Sequence, residues 1–142
     1  MADASGALVD WVEFGRMRTE LGADFIRILG YFREDGEKSV ERIEQAMHRR
    51  DAAGLVIPAH TMKTEARQFG AFQLGDIAEE IEDAGRRALE SRHFPDQLLP
   101  QVAALRPLYI RTMALFEQET NPLVARDPAA VRAPSNQEFG RL

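Results

Sequence analysis

Cysteine is absent from this 142-residue sequence, which removes disulfides, thiolate metal sites and cysteine nucleophiles from consideration and fits a reducing compartment. Long apolar runs are missing too: no stretch approaches the roughly 18 residues that span a bilayer. The first residues, Met1-Ala2-Asp3-Ala4-Ser5-Gly6, have neither the basic start nor the apolar stretch of a secretory signal. A cytoplasmic location with no membrane partner is therefore expected. Positive charge is not in excess, since 18 Lys and Arg stand against 23 Asp and Glu for a formal net charge of -5. A nucleic-acid binder would normally present a basic face, so no nucleic-acid partner is expected. There is no glycine-rich phosphate loop, no internal repeat and no convincing strand alternation.

What is present is apolar residues at helical spacing. A hydrophobic fraction of 44% with 29% charged residues is ordinary for one domain with a single core. Asp10, with Glu13 three residues on, caps a first helix that runs to Leu21, stops at Gly22 and buries Trp11, Phe14, Met17 and Leu21. A long second helix carries Phe25, Ile28, Leu29, Phe32, Val40, Ile43 and Met47, with a bend expected near Asp35-Gly36. Asp51 caps a third helix that ends at Gly70 and contains Pro58, expected to kink or tighten its first turns. The fourth, through Leu74, Ile77, Ala78, Ile81, Ala84, Ala88 and Leu89, ends near His93-Phe94-Pro95. The fifth runs from about Asp96 to Thr120, with a kink expected at Pro107.

Short connections favour antiparallel neighbours, so the expected fold is all-α: an up-down-up-down antiparallel four-helix bundle with an additional N-terminal helix, over residues 1–120. Residues 121–142, punctuated by Pro122, Pro128 and Pro134, carry no helical stripe and are expected to be a loosely ordered tail. Phe139-Gly140-Arg141 near its end is read as part of that tail in preference to a docking element.

The third helix holds the most informative residues. At about 100° per residue, Leu55, Ala59, Met62, Ala66 and Phe69 fall on one apolar band, and His60 points roughly 140° away from its centre. Lys63, Thr64 and Arg67 share the histidine's side of the helix, with Val56 and Ile57 one turn back. An imidazole facing solvent with cations beside it and apolar residues below it has the makings of a reactive nitrogen inside a docking surface. The bland alternatives stand beside this: Lys63 and Arg67 as a solvated face, and Val56 and Ile57 buried against a preceding helix.

Ala59-His60-Thr61-Met62-Lys63, followed by Phe69-Gly70-Ala71, Leu74 and Ile81-Glu82, resembles the histidine-containing phosphotransfer (HPt) domain of bacterial two-component phosphorelays. The family pattern is roughly Ala-His-x-Leu-Lys-Gly-x-x-x-x-x-Gly, and the likeness covers about Leu8 to Arg92 and, more loosely, a closing helix up to about Thr120. One departure stands out: Thr64 occupies the place of the glycine that usually follows the lysine, on the same face as His60, where a small residue lets a partner approach closely.

Spacing alone places a carboxylate at the histidine. If the turn between the third and fourth helices is centred near Ala71, His60 and Glu82 lie at the same height, both about 16 Å from it. Lys63 falls level with Glu79, and Val56 with Arg86. Glu82 sits at the edge of its own helix's apolar stripe, facing a neighbour; its alternative is a surface pair with Arg86 at i+4. The resemblance agrees, because the family commonly carries a carboxylate or amide at this position. A carboxylate accepting from Nδ1–H fixes the tautomer and leaves Nε2 outward as the nucleophile.

On that reading His60 is the phosphoacceptor, Lys63 offsets charge on the transferring phosphoryl group, Arg67 lends a more distant cation, and Glu82 orients the ring. Val56, Ile57, Thr64, Arg67 and Arg86 form the docking surface. The expected partners are response regulator receiver domains and a hybrid sensor kinase, with Mg2+ supplied by the receiver's acidic pocket and no cofactor or metal held by this chain. Nothing resembles an ATP-binding domain, so a phosphoryl carrier is expected, not an ATP-dependent kinase. A monomer is expected, with a dimer through the first two helices as the other possibility. The alternative function is an HPt-like bundle that binds receivers or a kinase without carrying phosphate. A third reading, a carboxylate–histidine metal bundle, has only Glu90-x-x-His93 at the required spacing, and His48 has no equivalent partner.

Overall fold

Asp10 opens the folded part of the chain as a helix cap, its side chain accepting from the backbone N–H of Val12 at 3.0 Å and of Glu13 at 3.2 Å. A computed structural model describes residues 7–121 and Leu123; the expected tail, including Phe139-Gly140-Arg141, otherwise lies outside the described residues. The helices are α1 (Trp11–Leu21), α2 (Phe25–His48), α3 (Ala52–Gln68), α4 (Phe72–Ser91) and α5 (Leu99–Thr120). Short 3-10 turns at Gly22–Asp24 and Asp96–Leu98 precede α2 and α5. Together they form the all-α antiparallel bundle expected from the spacing. α3 packs most extensively on α4, α2 packs on α3 and α5, and α4 packs on α5, with α1 laid against α2 and α3.

The local signals explain the boundaries. Gly22 closes α1 at φ 55, its N–H bonded to the Arg18 carbonyl, a conformation that glycine adopts without a Cβ penalty. Asp51 caps α3 by accepting from the Gly54 N–H at 3.0 Å. Gly70, at φ +83, turns the chain between α3 and α4; a Cβ there would meet the Asp10 carbonyl oxygen at 2.6 Å. That closeness is used: the Asp10 N–H donates to the Gly70 carbonyl at 2.8 Å, tying the start of α1 to the α3–α4 turn.

Proline and glycine do not interrupt the helices. Both α3 and α5 run through Pro58 and Pro107, and α2 continues through Gly36. Each proline removes one backbone donor from its helix. At Gly36 the missing side chain serves contact: a Cβ would lie 2.5 Å from the Tyr109 ring, whose hydroxyl donates to the Arg33 carbonyl at 2.5 Å. The glycine expected to bend α2 is where α5 seats its tyrosine.

The core is aromatic at the α3–α4 turn end. Phe32 stacks on Phe69 at 5.6 Å and Phe14 on Phe116 at 5.1 Å, with Phe25 edge-on to Phe14 at 5.2 Å. Of the residues expected to bury from α1, Phe14 is fully buried, while Trp11, Met17 and Leu21 are partly buried against the core. Among the described residues no helix is long and apolar enough to cross a membrane.

Candidate functional site

His60 stands in the middle of α3, where Leu55, Ala59, Met62 and Ala66 occupy the inner face and are all buried. With that face committed to the core, the histidine is turned outward, and its side chain is 55% exposed. Behind it sits Glu82 of α4, with a side chain only 4% exposed. Nδ1 of His60 lies 3.0 Å from Glu82 Oε2. The same oxygen accepts from Arg86 Nε at 3.1 Å and Nη2 at 2.7 Å. The other oxygen, Oε1, pairs with Lys63 Nζ at 2.8 Å.

Burial by itself pushes the Glu82 carboxyl up, because it disfavours the charged form. The hydrogen bonds from Lys63, Arg86 and His60, with the Lys63 charge, outweigh it and hold the carboxyl at about 2. An ionised carboxylate only accepts, so the hydrogen between it and the ring belongs to Nδ1. In the neutral ring the lone pair is then on Nε2, the nitrogen away from Glu82. This arrangement can present a neutral nucleophilic nitrogen to solvent and stabilise the cation formed when it is alkylated, acylated or phosphorylated.

Around this centre the structure separates the residues expected to form a docking surface. Ile57 is 72% exposed, and Thr64 and Arg86 are exposed. Val56 is not available to a partner: it is buried to 8% exposure. It packs on α4, where a Cβ on Gly85 would meet Val56 Cγ2 at 3.1 Å. Arg67 is also committed. It donates to Glu79 at 2.6 Å and to Asp76 at 3.0 Å, so it stands one turn from the cations on Glu82 instead of joining them.

Two pairings escaped the equal-height argument. Lys63 was level with Glu79 and meets Glu82; Arg67 was below Glu79 and meets it. Helical side chains lean toward their helix N-terminus. In an antiparallel pair those leans oppose: α3 cations reach away from the turn while α4 acids reach toward it. Adding that lean to the spacing would have found both contacts. Arg86, expected at the docking surface or paired with Glu82 at i+4, makes that pair and is a second cation on the acid that holds His60.

Elsewhere, His48 lies in the last turn of α2, where a basic residue suits the helix dipole. Glu90 and His93 are exposed, and no group of three or more His, Asp or Glu side chains among the described residues is arranged to hold a metal ion. Glu65, on the side of α3 facing α2, is a second perturbed carboxyl. Burial first, then the charge of Asp35 and its hydrogen bond, raise it to about 7.

Comparison with known proteins adds family and fold. The Hpt domain family model matches residues 27–114, a span that contains α3, α4 and every residue paired with Glu82. Among solved structures, histidine-containing phosphotransfer protein B (HptB) from Pseudomonas aeruginosa PAO1 is similar with a TM-score of 0.71. That likeness, at 20% sequence identity, covers 84% of this chain and 99% of the other. No curated protein matches the sequence.

Proposed function

The chain belongs to the Hpt domain family, and on that premise we propose that it carries a phosphoryl group on His60 between receiver-domain aspartates of a bacterial two-component phosphorelay. The observation that carries this reading is the outward imidazole braced through Nδ1 by an ionised, buried Glu82. In the forward step the Nε2 lone pair attacks the phosphorus of an aspartyl phosphate. The N–P bond forms as the P–O bond to the aspartate breaks, and the aspartate leaves as carboxylate. Nδ1 keeps its hydrogen, and Glu82 offsets the positive charge on the ring. Lys63 and Arg86 face the incoming negative charge, which suits a reaction that depends on positioning and charge neutralisation. The Mg2+ expected at transfer belongs to the receiver's acidic pocket, and Ile57 and Thr64 belong to the surface that meets the receiver.

The test is incubation with receiver domains of the source cell charged with acetyl phosphate. Label that is acid-labile and alkali-stable is expected on the wild type and absent from His60→Gln. Label persisting in His60→Gln would refute the assignment. Receiver binding without transfer in either direction would instead support a docking module, for which Thr64 in the usual glycine position is the favouring feature.

A further inference from the structure

α4 presents three acids to α3 in succession, Glu82, Glu79 and Asp76, each one turn nearer the α3–α4 turn. α3 answers with two cations. Lys63 sits at the height of Glu79 yet is paired with Glu82 at 2.8 Å. Arg67 occupies Glu79 at 2.6 Å and Asp76 at 3.0 Å. We propose that Arg67 is a positioning residue: by engaging Glu79 it leaves Lys63 on Glu82 beside His60, instead of one turn farther from the histidine.

The proposal rests on the phosphoryl-carrier reading of His60 and deepens it. Lys63 has two acids within its compass, and a lysine is a flexible point charge that goes where negative charge is uncompensated. Glu79 is held below the ordinary carboxylate range chiefly by its hydrogen bond with Arg67 and by that residue's charge; the charge of Lys63 contributes in the same direction and Glu82 opposes it. Lys63 therefore feels Glu79 already, and Arg67 supplies the larger share of its compensation. The guanidinium reaches both acids because α4 has a glycine beneath it: a Cβ on Gly75 would lie 2.8 Å from Arg67 Cγ. Gly75 is thus the seat that lets Arg67 lie flat across α4.

Two measurements on the full chain test this. The first needs no transfer: NMR scalar coupling between the Lys63 ammonium nitrogen and the Glu82 carboxylate carbon, a readout of direct contact in the 2.8 Å ion pair. It should be present in the wild type, lost in Arg67→Met, which keeps the apolar stem over Gly75, and restored in Arg67→Met/Glu79→Gln. Gly75→Ala, which displaces the guanidinium without removing its charge, should weaken it likewise. The second is the rate at which phosphoramidate labels His60. There Nε2 bonds to phosphorus, the P–N bond of the donor breaks, and ammonia leaves. Arg67→Met should slow labelling about three- to tenfold, and Glu79→Gln in the same chain should restore it. Coupling that is absent in the wild type or survives Arg67→Met overturns the proposal, as does a slow Arg67→Met that Glu79→Gln fails to rescue, the mark of a merely structural role. Failure of charged receivers to label wild-type His60 would defeat the phosphorelay reading alone and leave the coupling measurement to decide this one.

Discussion

Lys63 and Glu82 join α3 to α4 beside the histidine by an ion pair of 2.8 Å whose lysine is only 20% exposed. A cation held this way is aimed before any phosphoryl group arrives, which lowers the cost of organising the site during transfer. Lys63→Ala is expected to slow phosphoryl transfer by about tenfold, equivalent to ~1.4 kcal/mol of barrier. Transfer kinetics at saturating charged receiver would measure it. An unchanged rate would leave Lys63 with a structural role only.

Glu82 joins stability and chemistry. Glu82→Ala leaves Lys63 and Arg86 without their shared acid and is expected to cost about 2 kcal/mol in urea unfolding, within the range for losing a partner of a hydrogen-bonded charge. Glu82→Gln keeps an oxygen for the His60 Nδ1–H and should retain more transfer than Glu82→Ala. The folded carboxyl lies at about 2, below its ordinary 4.5. Its contribution to stability is therefore present above pH 4.5 and lost as pH falls toward 2. Glu82→Gln should flatten that limb of the stability curve.

Glu65 has the opposite sign. Its carboxyl is raised from 4.5 to about 7 in the folded protein by burial and by Asp35. Across that interval the native state binds more protons than the unfolded one, so stability should decline as pH rises from 4.5 to 7. Glu65→Gln, which keeps the shape without the charge, should remove the decline. Denaturant midpoints at closely spaced pH values would show it, and an unchanged slope in the variant would count against the Glu65–Asp35 pair as its source.

Val56 and Ile57 are neighbours in sequence with opposite exposure, 8% and 72%. Val56→Ala should destabilise the bundle by about 1–2 kcal/mol, because it opens a gap over Gly85. Ile57→Ala should leave the unfolding midpoint nearly unchanged and weaken receiver binding. Denaturation and a binding titration on both variants would separate the roles; equal effects of the two on stability would contradict the burial difference.

Phe69→Ala probes the aromatic end of the core. Its ring is buried and contacts Phe25, Phe32 and Phe116, so a loss of about 3–5 kcal/mol is expected. Calorimetry or urea unfolding would register it while His60 remains chemically intact.

Much of this was legible in the chain. The caps Asp10 and Asp51, the stop at Gly22 and the antiparallel α3–α4 hairpin follow from residue type and spacing, and so does the equal height of His60 and Glu82. What was not legible depends on what lies across from a residue. Gly36 stands out in its own helix only as a weak helix former, and that its missing side chain seats Tyr109 is set by α5. Val56 looked available from its own helix and is covered by α4 at Gly85.

The sequence by itself determined which residues form helices, which stripe of each turns inward, and that His60 must point out, because helical periodicity is a property of one segment. Only the tertiary structure decided which cation of α3 meets which acid of α4: Lys63 with Glu82, and Arg67 with Glu79 and Asp76. The physical reason is that ion pairing is settled within a few ångströms. At that scale the opposed lean of side chains on antiparallel helices, and a glycine such as Gly75 in the facing wall, outweigh the position of a residue along its own helix.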